Sequence, residues 1–413
     1  MILLYIDPGT GSMLFSLLLG VFTAGFFAFR KLWIKGKTFI LGGRAAKVSR
    51  EKIPVVIFSD NKRYWNTFGS ICDELERRNI RTEYWTESED DPAFDQTFEH
   101  VTCRYIGSLN KAIAKLNIMN AAICLSTTPG LDVYQWKRSK DTDLYVHVFH
   151  SVTSGILYRV FGIDYYDTIL LAGDFIEENL RKLEKMRNLP ERELVKCGLP
   201  YLDHMKEEVS KRTFPKSDRI TVLLAPTWGV NGLLSTLGDD LIDSLIATGY
   251  NIVIRPHPQS FTAETELIGR LKSKYPDCDT LHWNADNDNI GALGSSDIMI
   301  SDYSGVLYDY ITIFDKPVIY SLTELNKDPY DAWFIEEQPR MITILPEIAT
   351  KISREDLPNM KQIIDDALAD AGKAKAREYV REHFWYNHDE GAKRCVDYIE
   401  QKLKDLGYCA TEE

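Results

Sequence analysis

The chain has 413 residues, more than one ordinary core accommodates, so two domains are the starting expectation. Composition is globular, with 44% hydrophobic and 27% charged residues, and the net charge of -12 argues against nucleic-acid binding while leaving room for a local basic pocket. Seven scattered cysteines without a CxxC argue against a disulfide framework or a zinc site and fit a reducing compartment.

The chain opens with MILLYIDPGTGS, in which Pro8, Gly9 and Gly11 favour a turn. Residues 8–29 carry no charge and 13–29 are almost wholly apolar. At about 1.5 Å per residue such a run can cross a hydrocarbon core of roughly 30 Å. Arg30, Lys31, Lys35, Lys37, Arg44, Lys47, Arg50 and Lys52 follow, with Glu51 alone opposing them. This asymmetry predicts a single N-terminal span in the cell membrane, the rest of the chain in the cytoplasm, and attraction to an anionic leaflet. A buried or interfacial helix is the competing reading of so short a span, which contains Gly20 and Gly25. A signal peptide would carry its charge before the apolar run.

From residue 53 to 205 strand-like and helix-like patterns alternate. PVVIFSD (54–60), RTEYW (81–85), AAICLST (121–127), LYVHVFH (144–150) and DTILLAG (167–173) read as strands. Residues 64–78 read as an amphipathic helix with Trp65, Phe68, Ile71, Cys72 and Leu75 on one side. Asp174 begins another, whose Phe175, Ile176, Leu180 and Leu183 share a face. CGLPYLD closes this half with a Gly-x-Pro turn, leaving Asp203 and His204 as weak candidates. The polar stretch 207–218, which holds Pro215, is the predicted linker. Beyond it ITVLLAP, NIVIRP, DTLHW and DIMIS alternate with helical stretches, and 357–406 is helical by pattern. The expected fold is α/β, with two mostly parallel domains facing a cleft. The expected boundaries are a head and membrane-anchoring helix over 1–35, an N-terminal domain over 36–206, and a C-terminal domain with its terminal helices over 207–413.

Parallel sheets place ligands outside the carboxyl ends of their strands, which singles out four loops. Arg255 and His257 in RPHP follow a strand and are suited to a diphosphate, Arg through its planar fork and His as a second donor. In SDYSG, Ser304 and Gly305 open a helix with a hydroxyl and free N–H groups for phosphate, and Asp302 can grip a hydroxyl or orient a histidine; an ordinary N-cap has the same residues. In APTWG, Thr227 and Trp228 are placed to line the cleft and Gly229 admits close backbone approach, unless the turn is merely tight with a packed Trp. His150 ends a strand before Ser151, Thr153 and Gly155, a position suited to a general base and equally to a core or edge histidine. His147, three residues back, points to the other face. No DxD-like site forces a metal, and Mg²⁺ held mainly by phosphates stays open.

The series YVHVFHSVTSG, YDTILLAGDF, KCGLPYLD, VLLAPTWG, VIRPHPQ, SDIMISDYSGVLYDYITIFDKPVIY and HDEGAKRCVDYI resembles the CDP-glycerol glycerophosphotransferase family of teichoic-acid synthesis over roughly residues 145–399. The resemblance implies a GT-B fold of two Rossmann-like domains. It implies transfer of glycerol phosphate, or a similar polyol phosphate, from a CDP-linked donor to a hydroxyl of a lipid-linked acceptor, with release of CMP. His150 would be the base, at the family's HGT histidine. His257 would hold the phosphates, with Arg255 in place of the usual Lys; Asp302 and Ser304 match the DYS core, and Thr227 and Trp228 the PTW turn. Three departures stand out: HGT is HSV here (Ser151, Val152), PTWR ends in Gly229, and DYSS ends in Gly305. They keep two rivals in play, a GT-B glycosyltransferase or epimerase acting on a UDP-sugar, and a degenerate nucleotide-binding membrane protein.

Overall fold

The computed structural model describes residues 51–286, 288–321, 325 and 327–408. The apolar run expected to anchor the chain lies outside the described residues. Among those described, no helix is long and apolar enough to cross a membrane.

The strand-forming runs are apolar and mostly uninterrupted, and the reason is burial on both faces. β1 (Ile53–Ser59) is buried from Pro54 on, and β4 (Ala121–Ser126) is buried throughout. So are β6 (Thr168–Leu171), β8 (Thr221–Leu224) and β11 (Ile298–Ser301). Parallel sheets sandwiched between helices give such strands that environment. The other strands of the first half are β2 (Thr82–Thr86), β3 (Val101–Tyr105), β5 (Thr142–Val148) and β7 (Glu193–Lys196). Those of the second half are β9 (Asn251–Ile254), β10 (Leu281–Trp283), β12 (Val318–Tyr320) and β13 (Thr350–Lys351). Every pairing is parallel, in two sheets ordered β3-β2-β1-β4-β5-β6-β7 and β10-β9-β8-β11-β12-β13. In each sheet the chain reverses its direction of travel once, at β1/β4 and at β8/β11, and a crevice opens there at the strands' carboxyl ends.

The helices follow the expected faces. Helix Trp65–Arg77 buries Phe68, Ile71, Cys72 and Leu75, and helix Asp174–Arg187 buries Ile176, Leu180 and Leu183. The predicted linker is helical at its start, because helix Pro200–Ser210 runs into it with Leu202 and Met205 buried.

One assignment needs correction. The terminal helices do not all belong to the second half. Helix Met360–Ala369 packs beside the second sheet through Met360 and Ile364. Helix Gly391–Asp405 instead buries Cys395, Val396, Tyr398, Ile399 and Leu403 against the first sheet and helix Trp65–Arg77. Helix Ala371–Phe384 makes the crossing, and its Val380 and Phe384 join an apolar cluster containing residues of both sheets. An amphipathic pattern shows that a helix has a partner and leaves the partner unnamed.

A second tie runs the other way. After β12 the chain returns to the first half, where Tyr330 bridges Arg159 and the Asp331 N–H donates to Tyr158 O at 3.0 Å. The fully buried Asp331 accepts from Phe161 N–H at 2.7 Å and from Arg187. Arg187 also donates to Asp164 at 2.7 Å and lies over the Phe161 and Phe334 rings at 4.7 and 4.5 Å. Removing one partner of a buried pair strands the other charge, so Asp331→Ala is expected to cost about 3–5 kcal/mol. The exposed Lys182–Glu337 pair nearby should be worth under about 1 kcal/mol, so Glu337→Ala should leave stability nearly unchanged. Thermal midpoints of the two variants check this contrast.

Candidate active site

The loops after the strands of both sheets enclose one cleft of about 440 Å³. From the first half come Arg63 and Tyr64, just beyond β1, and His150 and Ser151, just beyond β5. From the second come Pro226 after β8, Arg255 to Pro258 after β9, and Ser304 and Gly305 after β11. The two histidines named from the sequence therefore share one cleft, together with Arg255, Ser304 and Gly305.

His150 is enclosed except for the edge that faces the cleft. Its Nδ1 lies 2.6 Å from Thr127 Oγ1, the first residue past β4, and Tyr64 lies against its ring at 4.5 Å between centroids. Burial, aided by the charge of Arg63, lowers its pKa to about 4, so the ring is neutral at neutral pH. When Nδ1–H donates to Thr127, Nε2 is left bare to accept a proton. His147 has the opposite surroundings. It is fully buried among Phe149, Tyr158 and Tyr166, and plays no part in the cleft.

His257 Nδ1 accepts the Gln259 N–H at 3.1 Å, which places its proton on Nε2. Burial first and Arg63 second lower its pKa, so this ring too is neutral, with Nε2–H as its donor. Arg255 lines the cleft with a guanidinium partly committed elsewhere: it bonds Asn284 Oδ1 and donates to Asp286 O at 2.9 Å. The Ser304 hydroxyl makes no hydrogen bond among the described residues.

Three sequence candidates fall outside this lining. Asp302 is 1% exposed and accepts from Thr227 N–H at 2.9 Å and Leu233 N–H at 3.2 Å. It ties the end of β11 to the loop after β8, a structural role in place of the expected ligand contact. Burial pushes its carboxyl up to about 6 even with these donors. Thr227 and Trp228 sit beside the cleft rather than in its lining; Trp228 is largely exposed, its ring 6.5 Å from that of His257. Gly229 has φ of +98°, a left-handed conformation that an Arg there would adopt only with strain.

Sequence reasoning missed several lining residues. Asp309 is 4% exposed, lines the cleft, accepts from Tyr201 Oη at 2.9 Å and has its second oxygen unpartnered. Burial pushes it up to about 7. Its signal was present, since the DYS…D spacing includes it. Arg63 and Tyr64 had none beyond lying past a strand end, and neither had Thr127, which lies outside the lining and holds His150 from behind. Among the described residues no cluster of His, Cys, Asp and Glu is suited to a metal ion.

Residues 133–401 match the family described as CDP-Glycerol:Poly(glycerophosphate) glycerophosphotransferase. Among curated proteins none matches the sequence. Among solved structures, the wall teichoic acid polymerase TagF soaked with CDPG is similar with a TM-score of 0.57 at 15% identity, over 92% of this chain and 98% of that one. A putative UDP-N-acetylglucosamine 2-epimerase from Listeria monocytogenes is similar with a TM-score of 0.57 at 14% identity, over 88% and 99%. The UDP-GlcNAc 2-epimerase from Neisseria meningitidis bound to UDP-GlcNAc gives 0.52 at 14%, over 84% and 100%. At these identities the likeness shows the fold: two parallel α/β sheets, as the GT-B expectation required.

The depressed histidine has a measurable consequence. In the unfolded chain His150 returns to about 6.5, so as pH falls from there towards about 4 the unfolded state takes up a proton that the folded state refuses. Its share of stability is therefore intact above that window and lost on descending through it. His150→Gln should flatten this part of the stability–pH curve, as read by urea midpoints at a series of pH values.

Proposed function

The chain belongs to the CDP-glycerol:poly(glycerophosphate) glycerophosphotransferase family and is an enzyme of that kind, and from this premise we propose that its cleft transfers a polyol phosphate from CDP-glycerol, or a close relative, to an acceptor hydroxyl. The observation that carries the reading is the pairing of two histidines across one cleft, His150 held at Nδ1 by Thr127 and His257 with Nε2–H as a donor. The acceptor oxygen attacks the donor's β-phosphorus. A new P–O bond forms, the bond from that phosphorus to the bridging oxygen breaks, and CMP leaves with the electron pair. The acceptor proton passes to His150 Nε2, with Thr127 holding the ring in register. The donor's phosphates lie against His257 Nε2–H, Arg255 and the Ser304–Gly305 turn, where positioned donors offset the charge that develops.

The acceptor is read as a lipid-linked glycan or polymer of the cell envelope, and the enzyme as attached to the cytoplasmic leaflet by residues 13–29. This part rests on the apolar run and its basic flank in the sequence. Full-length protein should stay with the membrane fraction through an alkaline carbonate wash; release by that wash would leave at most a peripheral association.

His150→Ala should lower CMP release from CDP-glycerol by about 10²–10⁴-fold with KM little changed, the range general-base removal commonly gives. His257→Ala should raise KM as well as lower kcat. Turnover equal to wild type in both variants would remove the histidines from the mechanism. The epimerase-like fold gives the UDP-sugar reading its one support. A thermal shift with UDP-GlcNAc and none with CDP-glycerol would favour it.

A further inference from the structure

The cleft is short of positive charge on the side where a diphosphate would need it. Of its lining residues two are permanently cationic, Arg63 and Arg255. Arg255 already bonds Asn284 and Asp286. The loop after β8 adds none, and its Gly229 has a backbone conformation adapted to glycine. Both histidines are neutral, and the diphosphate of a nucleotide ester brings about two negative charges to be met by hydrogen bonds and cations.

Arg63 is differently placed. It lies in the short turn Lys62–Tyr64 directly after β1, beside the crevice at β1/β4. Asn61 caps that turn, its Oδ1 accepting Arg63 N–H at 3.0 Å and Arg63 Nε–H at 3.2 Å. The stem of the guanidinium is thereby aimed, while its two terminal nitrogens make no hydrogen bond or ion pair among the described residues. Its neighbour Lys62 is already paired with Asp90. The charge of Arg63 reaches both sides of the cleft, for it depresses His150 on its own half and His257 on the other.

We propose that Arg63 is the first half's phosphate-binding residue, which grips the transferring phosphoryl group of a nucleoside diphosphate ester. The proposal rests on the reading that such an ester occupies the cleft. It gives Arg63 two tasks. The planar fork binds phosphate oxygens, and the positive charge adds to burial, the larger cause, in keeping His150 neutral.

The test compares wild type with Arg63→Gln and Arg63→Lys, using inorganic pyrophosphate, CDP-glycerol and cytidine as calorimetric probes. Loss of a charge-assisted, forked contact should weaken pyrophosphate and CDP-glycerol by at least about tenfold in Arg63→Gln, with cytidine unchanged and Arg63→Lys in between. Histidine NMR titration supplies a second readout, in which Arg63→Gln should raise the pKa of both His150 and His257. Pyrophosphate and CDP-glycerol affinities within about twofold of wild type in a folded Arg63→Gln variant would overturn the assignment. So would no measurable pyrophosphate binding by wild type, or an equal loss for cytidine, which would mark a structural role. The two readings separate cleanly. If wild type binds pyrophosphate through Arg63 yet releases no CMP from CDP-glycerol, the transferase reading falls and Arg63 stands. If CMP release is normal and indifferent to Arg63, the reverse holds.

Discussion

The structure depends on one topological constraint. In a sheet whose strands are all parallel, every strand delivers its carboxyl end to the same edge, and loops accumulate there. The first sheet reverses at β1/β4 and the second at β8/β11, so each opens a crevice on that edge. The returning segment through Asp331 and the crossing helix Ala371–Phe384 each join one half to the other. With the halves tied, loops over two hundred residues apart in sequence, after β1 and after β11, line one cleft. Neither half forms the cleft alone, since His150 belongs to one and His257 to the other.

Desolvation does the second part of the work, and it acts oppositely on bases and acids. The enclosure that lowers His150 to about 4 raises Asp309 to about 7 and Asp302 to about 6. What separates these groups functionally is where their hydrogen bonds already go. Both Asp302 oxygens face backbone N–H groups, so the residue is a fastening for the loop after β8. Asp309 keeps one oxygen unmatched, and His150 keeps Nε2 clear of protein partners. Groups with remaining capacity inside a cleft are the ones a ligand can use.

Much of this was legible in the sequence. Continuous apolar runs gave the parallel strands, and the rule that ligands lie past strand ends selected His150, Arg255, His257 and Ser304, all of which line the cleft. Asp302 shows the limit of that rule. An aspartate one residue past a strand has the same sequence signature whether its carboxylate faces a ligand or the neighbouring loop, and the difference is a matter of rotamer and register. Arg63 and Thr127 escaped for the complementary reason. Each becomes part of a site only because its strand is adjacent to another in space, β1 to β4 and β4 to β5, and adjacency of that kind is absent from linear spacing. The last helix misled for the same cause, its face being evident and its partner not.

The fold leaves the chemistry open, because two parallel sheets at this similarity serve a teichoic acid polymerase and UDP-sugar epimerases alike. Choice among reactions must come from what the strand-end loops present. Here the turn after β5 carries Ser151 into the cleft and sends Val152 into the core, where it is fully buried. That turn is therefore anchored by an apolar side chain, and the residue beside His150 is a small hydroxyl. The loop after β8 ends in a left-handed glycine with no side chain to extend towards a substrate. The two cations of the lining therefore come one from each half, Arg63 after β1 and Arg255 after β9.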